Sequence, residues 1–542
     1  MKTSFAAKLK KLFGKTDLTH GCIWKTLLHF AFPILISYFL QVGYSIADTA
    51  ICGYTLSASE VAGVGDTNPV SYIFLQFAFG CTAGMSVILA NRIGKNDREG
   101  ARRTFATQIV LGFFIVLVVT TVSLFCIKPL LRFIGITPSG GEVNERVYRA
   151  AVTYLTIICG GMIGQFFYNS ICCILRSIGD SLTPLLFLFL SATLNIQLDL
   201  LFICVFGWGV AGAAAATVLS QAFSAVALFI YTFVKYKDLR PRLSDFKAIR
   251  AKEALRMLFQ GVPLGLQFSV LAFGILTMQN GIVAFDKSPD GTMLPGTPAQ
   301  IGYSAVTHLR NIFLMPFNAL GTAMISFCGQ NDGAGNFDRI KKGIKQGMLI
   351  MLVIYAIDLA CGFLFSIGGA YQHMYLASDK ITPQTIKYGQ LHLYTVLPLL
   401  FLVGTINVLR NAVQGLEKPI FPMLAGFAEL VARVLVCLFL PRLINGAPID
   451  CNASSAAFCA LSLADPVAWF AADIFLVIAT IKYAFHRKDA PQDSEEVRVN
   501  SEEMAVEPQL AECVATETAS PLCRSERSAS EVEESSEQSE RN

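Results

Sequence analysis

Apolar residues run along this chain in long stretches, near 27–50, 60–89, 105–127, 147–170, 183–206, 209–235, 255–283, 300–327, 344–366, 387–413, 420–441 and 464–485. Each is close to the ~20 residues that a helix needs to cross a hydrocarbon core, so the pattern predicts an all-α integral membrane protein with twelve transmembrane helices. Charge gathers in the turns. Lys8, Lys10, Lys11 and Lys15 precede the first stretch, Arg92, Lys95, Arg98, Arg102 and Arg103 follow the second, and Lys235, Lys237, Arg240, Arg242, Lys247, Arg250 and Lys252 follow the sixth. Arg339, Lys341, Lys342 and Lys345 follow the eighth, and Arg487 and Lys488 the twelfth. All these clusters fall on one side of the alternating path, which the positive-inside rule makes cytoplasmic, with both termini there. The first stretch is too long for a cleavable signal.

The pattern also repeats. Gly94-Lys95-Asn96-Asp97-Arg98-Glu99-Gly100 returns as Gly329-Gln330-Asn331-Asp332-Gly333-Ala334-Gly335, Arg176 with Pro184 returns as Arg410 with Pro419, and Pro33 returns as Pro263. Six crossings per half is an even number, so the halves run parallel, as two pseudo-symmetric six-helix bundles with a substrate site between them. The expected layout is a cytoplasmic segment 1–25, an N-lobe 26–237, a linker 238–254, a C-lobe 255–487 and a tail 488–542.

Composition narrows the class. With 54% apolar and 15% charged residues, a soluble domain would be left with apolar surface it could not cover. From Asp489 the chain has no aromatic residue and carries fifteen acidic residues against four Arg, which predicts a disordered acidic tail. The basic loops face anionic headgroups rather than nucleic acid. Fifteen scattered Cys with no paired CxxC spacing read as small apolar fillers. There is no GxxxxGK[ST] phosphate loop, no HExxH, no GxSxG and no helix with Arg at every third position. That excludes an ATP-driven pump, a zinc protease, a serine hydrolase and a voltage sensor. A carrier or a passive pore remains; the protein is expected to work as a monomer and without a cofactor, a carrier needing only H⁺ or Na⁺ as coupling ion.

Polar residues inside the stretches hold the chemistry, because a carboxylate in hydrocarbon costs ~2.5–3.5 kcal/mol and needs a partner or a task. Gln41, Tyr44 and Asp48 share one face of the first helix, and Asn195 and Asp199, four apart, share one of the fifth. Thr217 with Gln221 forms a similar pair in the sixth, and Tyr154, Gln165 and Asn169 fall on one stripe of the fourth. Interhelical hydrogen bonding is the simpler reading for Thr217 or Gln165 alone, and Asp48 by itself fits a helix end in headgroup water. Together Asp48 and Asp199 lack an intramembrane Lys or Arg beside them, and so are expected to bind a cation or a proton. In the second half Glu429 and Arg433 form an i, i+4 pair that neutralises itself. Asp358 and Asp473 have no such neighbour. Arg176 and Arg410 read as anchors at the cytoplasmic face, and Pro33 and Pro263 as sites where helices can bend.

These residues resemble the multidrug and toxic compound extrusion (MATE) transporters over nearly all of residues 20–487. The similar passages are Ile46-Ala47-Asp48-Thr49, Gly94 to Arg103, Leu175-Arg176-Ser177-Ile178-Gly179-Asp180, Asn195-Ile196-Gln197-Leu198-Asp199 and Gly207 to Ala214. The resemblance implies two six-helix lobes around a V-shaped cavity in the plasma membrane, exchanging lipophilic, often cationic small molecules for H⁺ or Na⁺ by alternating access. Asp48, Asn195, Asp199 and Thr217 look like the family's amino-lobe cation site, which also makes them the metal ligands if Na⁺ is the coupling ion. Gln41, Tyr44, Tyr154, Gln165 and Asn169 are the expected substrate cavity. The seventh stretch lacks the acid of one branch, so the DinF-like branch fits better. The rival reading is a lipid-linked saccharide flippase of the same superfamily, for which extra crossings and a basic cavity are expected. No nucleophile–base cluster supports an enzyme.

Overall fold

The computed structural model describes residues 15–65, 67–138, 141–376 and 381–486. The start of the expected N-terminal segment and the acidic tail 488–542 lie outside the described residues. Among the described residues eleven helical stretches are long and apolar enough to cross a bilayer, and a helix pair bent by 47° supplies the twelfth if it is one span. The first half comprises α1 (Ile23–Thr55), α2 (Ala58–Gly65), α3 (Asn68–Gly94), α4 (Arg98–Phe133), α5 (Glu142–Gly160), α6 (Met162–Ser177), α7 (Leu182–Asp199) and α8 (Gly209–Lys235). The second comprises α9 (Ala251–Ala284), α10 (Pro298–Gly333), α11 (Phe337–Ser366), α12 (Pro383–Val396), α13 (Leu400–Gly415), α14 (Ile420–Asn445), α15 (Ser455–Ser462) and α16 (Ala464–Thr480). Among the described residues the only β pairing is one isolated bridge, Lys287 to Met293.

The fourth crossing is the bent pair, α5 and α6, broken at Gly161. A Cβ at Gly161 would stand 2.2 Å from Cγ1 of Val218, and one at Gly164 2.9 Å from Cα of Ala222. Small residues therefore let α6 lie directly on α8, as close helix packing in membranes requires.

The internal repeat is real, but its register differs from the one the sequence echo gives. The amides of Lys95, Asn96, Asp97 and Arg98 bond the carbonyls of Asn91, Ile93, Arg92 and Asn96; those of Ala334, Gly335, Asn336 and Phe337 bond the carbonyls of Gln330, Asp332, Asn331 and Gly335. Gly94-Lys95-Asn96-Asp97 thus matches Gly333-Ala334-Gly335-Asn336, one helical turn beyond the echoed Gly329-Gln330-Asn331-Asp332. The next matching turns pair Arg176 with Gln414, not Arg410. The echo misleads because Asn and Asp suit helix ends generally, so similar letters settled a turn apart.

The halves pack along α3 and α9, where a Cβ on Gly80 would lie 2.6 Å from Cα of Gly265 and Ser269 Oγ donates to the Ile73 carbonyl at 2.9 Å, and they meet again at the end of the molecule carrying the basic turns. There α3 and α10 cross reciprocally. A Cβ on Gly94 would lie 1.9 Å from the carbonyl oxygen of Gln330, and one on Gly333 2.0 Å from that of Asn91. Asn91 Nδ2 donates to Asp332 Oδ2 at 2.9 Å and Gln330 Nε2 to the Ser177 carbonyl at 2.7 Å. The Leu18 carbonyl accepts from Asn331 Nδ2 at 3.0 Å, and Arg339 donates to the carbonyls of Leu18, His20 and Gly21. Leu27, Phe30 and Ile34 of α1 join a core built otherwise from second-half residues such as Leu320, Met324 and Phe327. The first helix therefore serves both bundles: its basic-end half packs on the second, and its far half carries Asp48 to the first.

Candidate functional site

Asp48 reaches the interior of the first bundle from α1 and Asp199 from the last residue of α7. Their carboxyls are close enough to interact directly. Asp199 is fully buried and Asn195 nearly so. Asp48 Oδ1, Asn195 Oδ1 and both carboxyl oxygens of Asp199 are buried without a hydrogen-bond partner. Neither acid takes part in an ion pair among the described residues. Asn195 Nδ2 approaches Thr217 Oγ1 at 3.5 Å, so all four residues expected at the cation site come together from α1, α7 and α8. Four unpartnered oxygens are an unusual cost to leave in a protein interior, and that donor set fits a hard cation or a proton.

Asp199 shares the buried face of α7 with Asn195, four residues before it. Immediately after it the chain widens into a π-helix, Leu200–Val205, closed by the Phe206 amide on the Leu201 carbonyl at 2.9 Å. Such insertions re-aim neighbouring side chains and recur at functional sites. Phe202, within the π-helix, stacks on Trp208 at 4.8 Å between centroids, and Cys52, Ile203 and Ala213 form a small apolar plug.

The five residues expected to form the substrate cavity divide in two. Gln41, Tyr44, Gln165 and Asn169 line one cavity with Asn195 and Thr217. Tyr154 does not; the break at Gly161 separates it from Gln165 and Asn169, so the single stripe expected on the fourth helix is two faces. Tyr154 instead lies within electrostatic reach of Asp48, Asp199, Cys52 and Tyr44. Sequence reasoning missed Tyr168, Ser191 and Ser220 in the same cavity. About 40 Å³ of that cavity is open to the centres of water molecules, room for a few waters, so a drug-sized molecule needs it widened.

The second bundle treats its charges differently. Arg433 of α14 donates to Glu429 at 3.0 Å and to Asp465 of α16 at 2.8 Å, Arg410 of α13 donates to Glu429 at 3.0 Å, and Arg310 of α10 closes on Asp465. A Cβ at Gly274 of α9 would lie 2.6 Å from Arg433; the glycine makes room for the guanidinium. The expected Glu429–Arg433 pair is thus the centre of a five-residue network. Arg410 is not an anchor at the cytoplasmic face, because Glu429 draws it inward. Arg310 interrupting its apolar stretch was the available signal for the network; Asp465 carried none. Asp358 and Asp473 are buried, each with one oxygen lacking a partner.

The MatE family model matches residues 33–201 and 296–439. The chain belongs to the MatE family. It is 31% identical over 327 residues to the Bacillus subtilis protein named "Probable multidrug resistance protein YpnP", covering 60% of this chain and 68% of that one. To the Thermotoga maritima "Probable multidrug resistance protein NorM" it is 26% identical over 431 residues, covering 78% and 86%. The fold is shared with an outward-facing structure of a multidrug resistance MATE family transporter of the MOP superfamily, at a TM-score of 0.72 and 20% identity over 87% of this chain and 98% of that one. This MatE protein is accordingly a multi-pass membrane transporter and not an enzyme.

Proposed function

We propose that this MatE protein is a secondary antiporter of the plasma membrane that exports lipophilic, positively charged small molecules in exchange for H⁺ or Na⁺. The facing, unpaired carboxyls of Asp48 and Asp199 are the observation that carries the reading. Two acids sharing one apolar site need positive charge between them, and a proton, a sodium ion or a cationic substrate can each supply it. Asn195 and Thr217 would complete the oxygen set for Na⁺. Competition for the acids then couples the flows, while rocking of the lobes opens the site to alternate faces. The basic end is assigned to the cytoplasm, with both termini there. The lobes are assigned to residues 26–237 and 255–487, joined by 238–254, and the protein works as a monomer.

The test is efflux of a fluorescent cation from vesicles, driven by a pH step or by a Na⁺ step. One step is expected to drive exchange in the native protein and in neither Asp48→Asn nor Asp199→Asn. Undiminished exchange in both variants would refute the assignment.

A further inference from the structure

At the basic end of the first bundle is a second cavity, of about 420 Å³, unconnected with the acid pair. It lies within the ~300–1,000 Å³ of small-molecule sites. Three separate segments wall it: the strand of chain entering α1, the α3–α4 turn, and the end of α8 with the residues that follow. They contribute five cations, Lys15, Arg92, Arg98, Lys235 and Lys237, against the carboxylates of Asp97 and Asp238.

The internal pairing leaves this charge unbalanced. Asp97 is occupied by Arg92 at 2.8 Å and by the amide of Gly100, and Asp238 stands 3.6 Å from Arg98 with both side chains exposed. Lys235 is bound outside the cavity, to Asp180 at 3.1 Å. Lys15 and Lys237 take part in no ion pair among the described residues. Loss of water holds the Lys15 ammonium below its ordinary value; Asp17 opposes this and Arg98 adds to it. The backbone fixes the walls: the Thr16 amide donates to the Gly179 carbonyl at 2.9 Å, and Asn96 takes a left-handed conformation, φ 55°, to close the turn.

We propose that this cavity binds a phosphate-bearing anion, either an anionic lipid headgroup at the membrane surface or a soluble phosphate compound. The two cations left without an ion pair among the described residues, Lys15 and Lys237, enter from different segments, and a group with several acceptor oxygens can take a charge-assisted bond from each. Basic pockets between transmembrane helices are suited to headgroup capture. Arg92 also reaches Glu253 of the second half at 3.5 Å, so the anion would sit beside a contact between the halves.

The experiment uses the full chain in nanodiscs of phosphatidylcholine with and without phosphatidylglycerol, counting retained lipid by native mass spectrometry, and titrates inorganic pyrophosphate by calorimetry. The variants are Lys15→Ala/Lys237→Ala and, as a control on the same face, Lys341→Ala/Lys342→Ala. Binding in one arm is expected to weaken roughly thirtyfold in the first variant, the ratio given by about 1 kcal/mol per removed basic residue, and to stay within twofold in the control. Weakening in the lipid arm identifies a headgroup, and weakening in the pyrophosphate arm a soluble phosphate. Binding in neither arm, or an equal loss in the control variant, overturns the proposal.

Discussion

The two bundles share one architecture and handle buried charge in opposite ways. In the first, Asp48 and Asp199 face each other with unpartnered oxygens. In the second, Glu429 and Asp465 are held among Arg310, Arg410 and Arg433. Removing one partner from a buried ion network leaves charge uncompensated, whereas neutralising an already unpaired acid removes a penalty. Stability and function should therefore separate between the halves.

The largest expected effect tests that separation. Arg433→Ala should cost about 3 kcal/mol or more of stability, read as a lowered unfolding midpoint in detergent, while Asp199→Asn should leave the midpoint unchanged or raised although coupled efflux is lost. Equal destabilisation by the two would erase the contrast. Next are the crossing glycines. Gly94→Ala and Gly333→Ala each force a methyl group against a carbonyl of the opposite lobe, an overpacking cost of about 1–3 kcal/mol. Spin labels at the basic end should report longer interlobe distances in both variants.

A smaller effect would sharpen the comparison within the second bundle. Asp473, like Asp48 and Asp199, is in no ion pair among the described residues, but it lies within electrostatic reach of Arg410 and Glu429 of the network; Asp473→Asn should keep coupled exchange within about twofold. A larger loss would extend the coupling site into the second half. The smallest effect concerns the bracket before α1. Burial pushes the Asp17 carboxyl up, but the hydroxyl and amide of Thr19 and the His20 ring outweigh this and hold it at about 2. Its contribution is complete above the usual carboxylate value of about 4 and fades as the pH falls through 2. At this exposed position it should be below about 1 kcal/mol. Hydrogen exchange at residues 16–21 should show Asp17→Asn already loosened at neutral pH, and native protein approaching it only in strong acid.

Much of this contrast was legible from spacing. Asn195 and Asp199, or Glu429 and Arg433, are four apart on a helix, and helical geometry alone puts each pair on one face. Asp48 was matched to Asp199 through the absence of basic neighbours and through the family resemblance, not through spacing. What stayed hidden depends on contacts between distant segments. Arg310 and Asp465 meet across 155 positions, and no local period encodes that meeting. The break at Gly161 had a local mark in the Gly160-Gly161 pair that the reading of one stripe passed over, whereas the π-helix after Asp199 has no compositional mark in a stretch of Leu and Phe. The repeat was recognisable from its letters, but its register needed the backbone hydrogen bonds.

The crossing of α3 and α10 has the character of a self-complementary homodimer interface, in which each surface meets its own counterpart around a two-fold axis. A free six-helix bundle with such a surface would pair only as its concentration in the bilayer allowed. Covalent connection between the halves makes the encounter intramolecular, so the partner is always at hand. Each surface is then free to diverge in sequence, as Asn91 and Gln330 have, without the assembly dissolving on dilution.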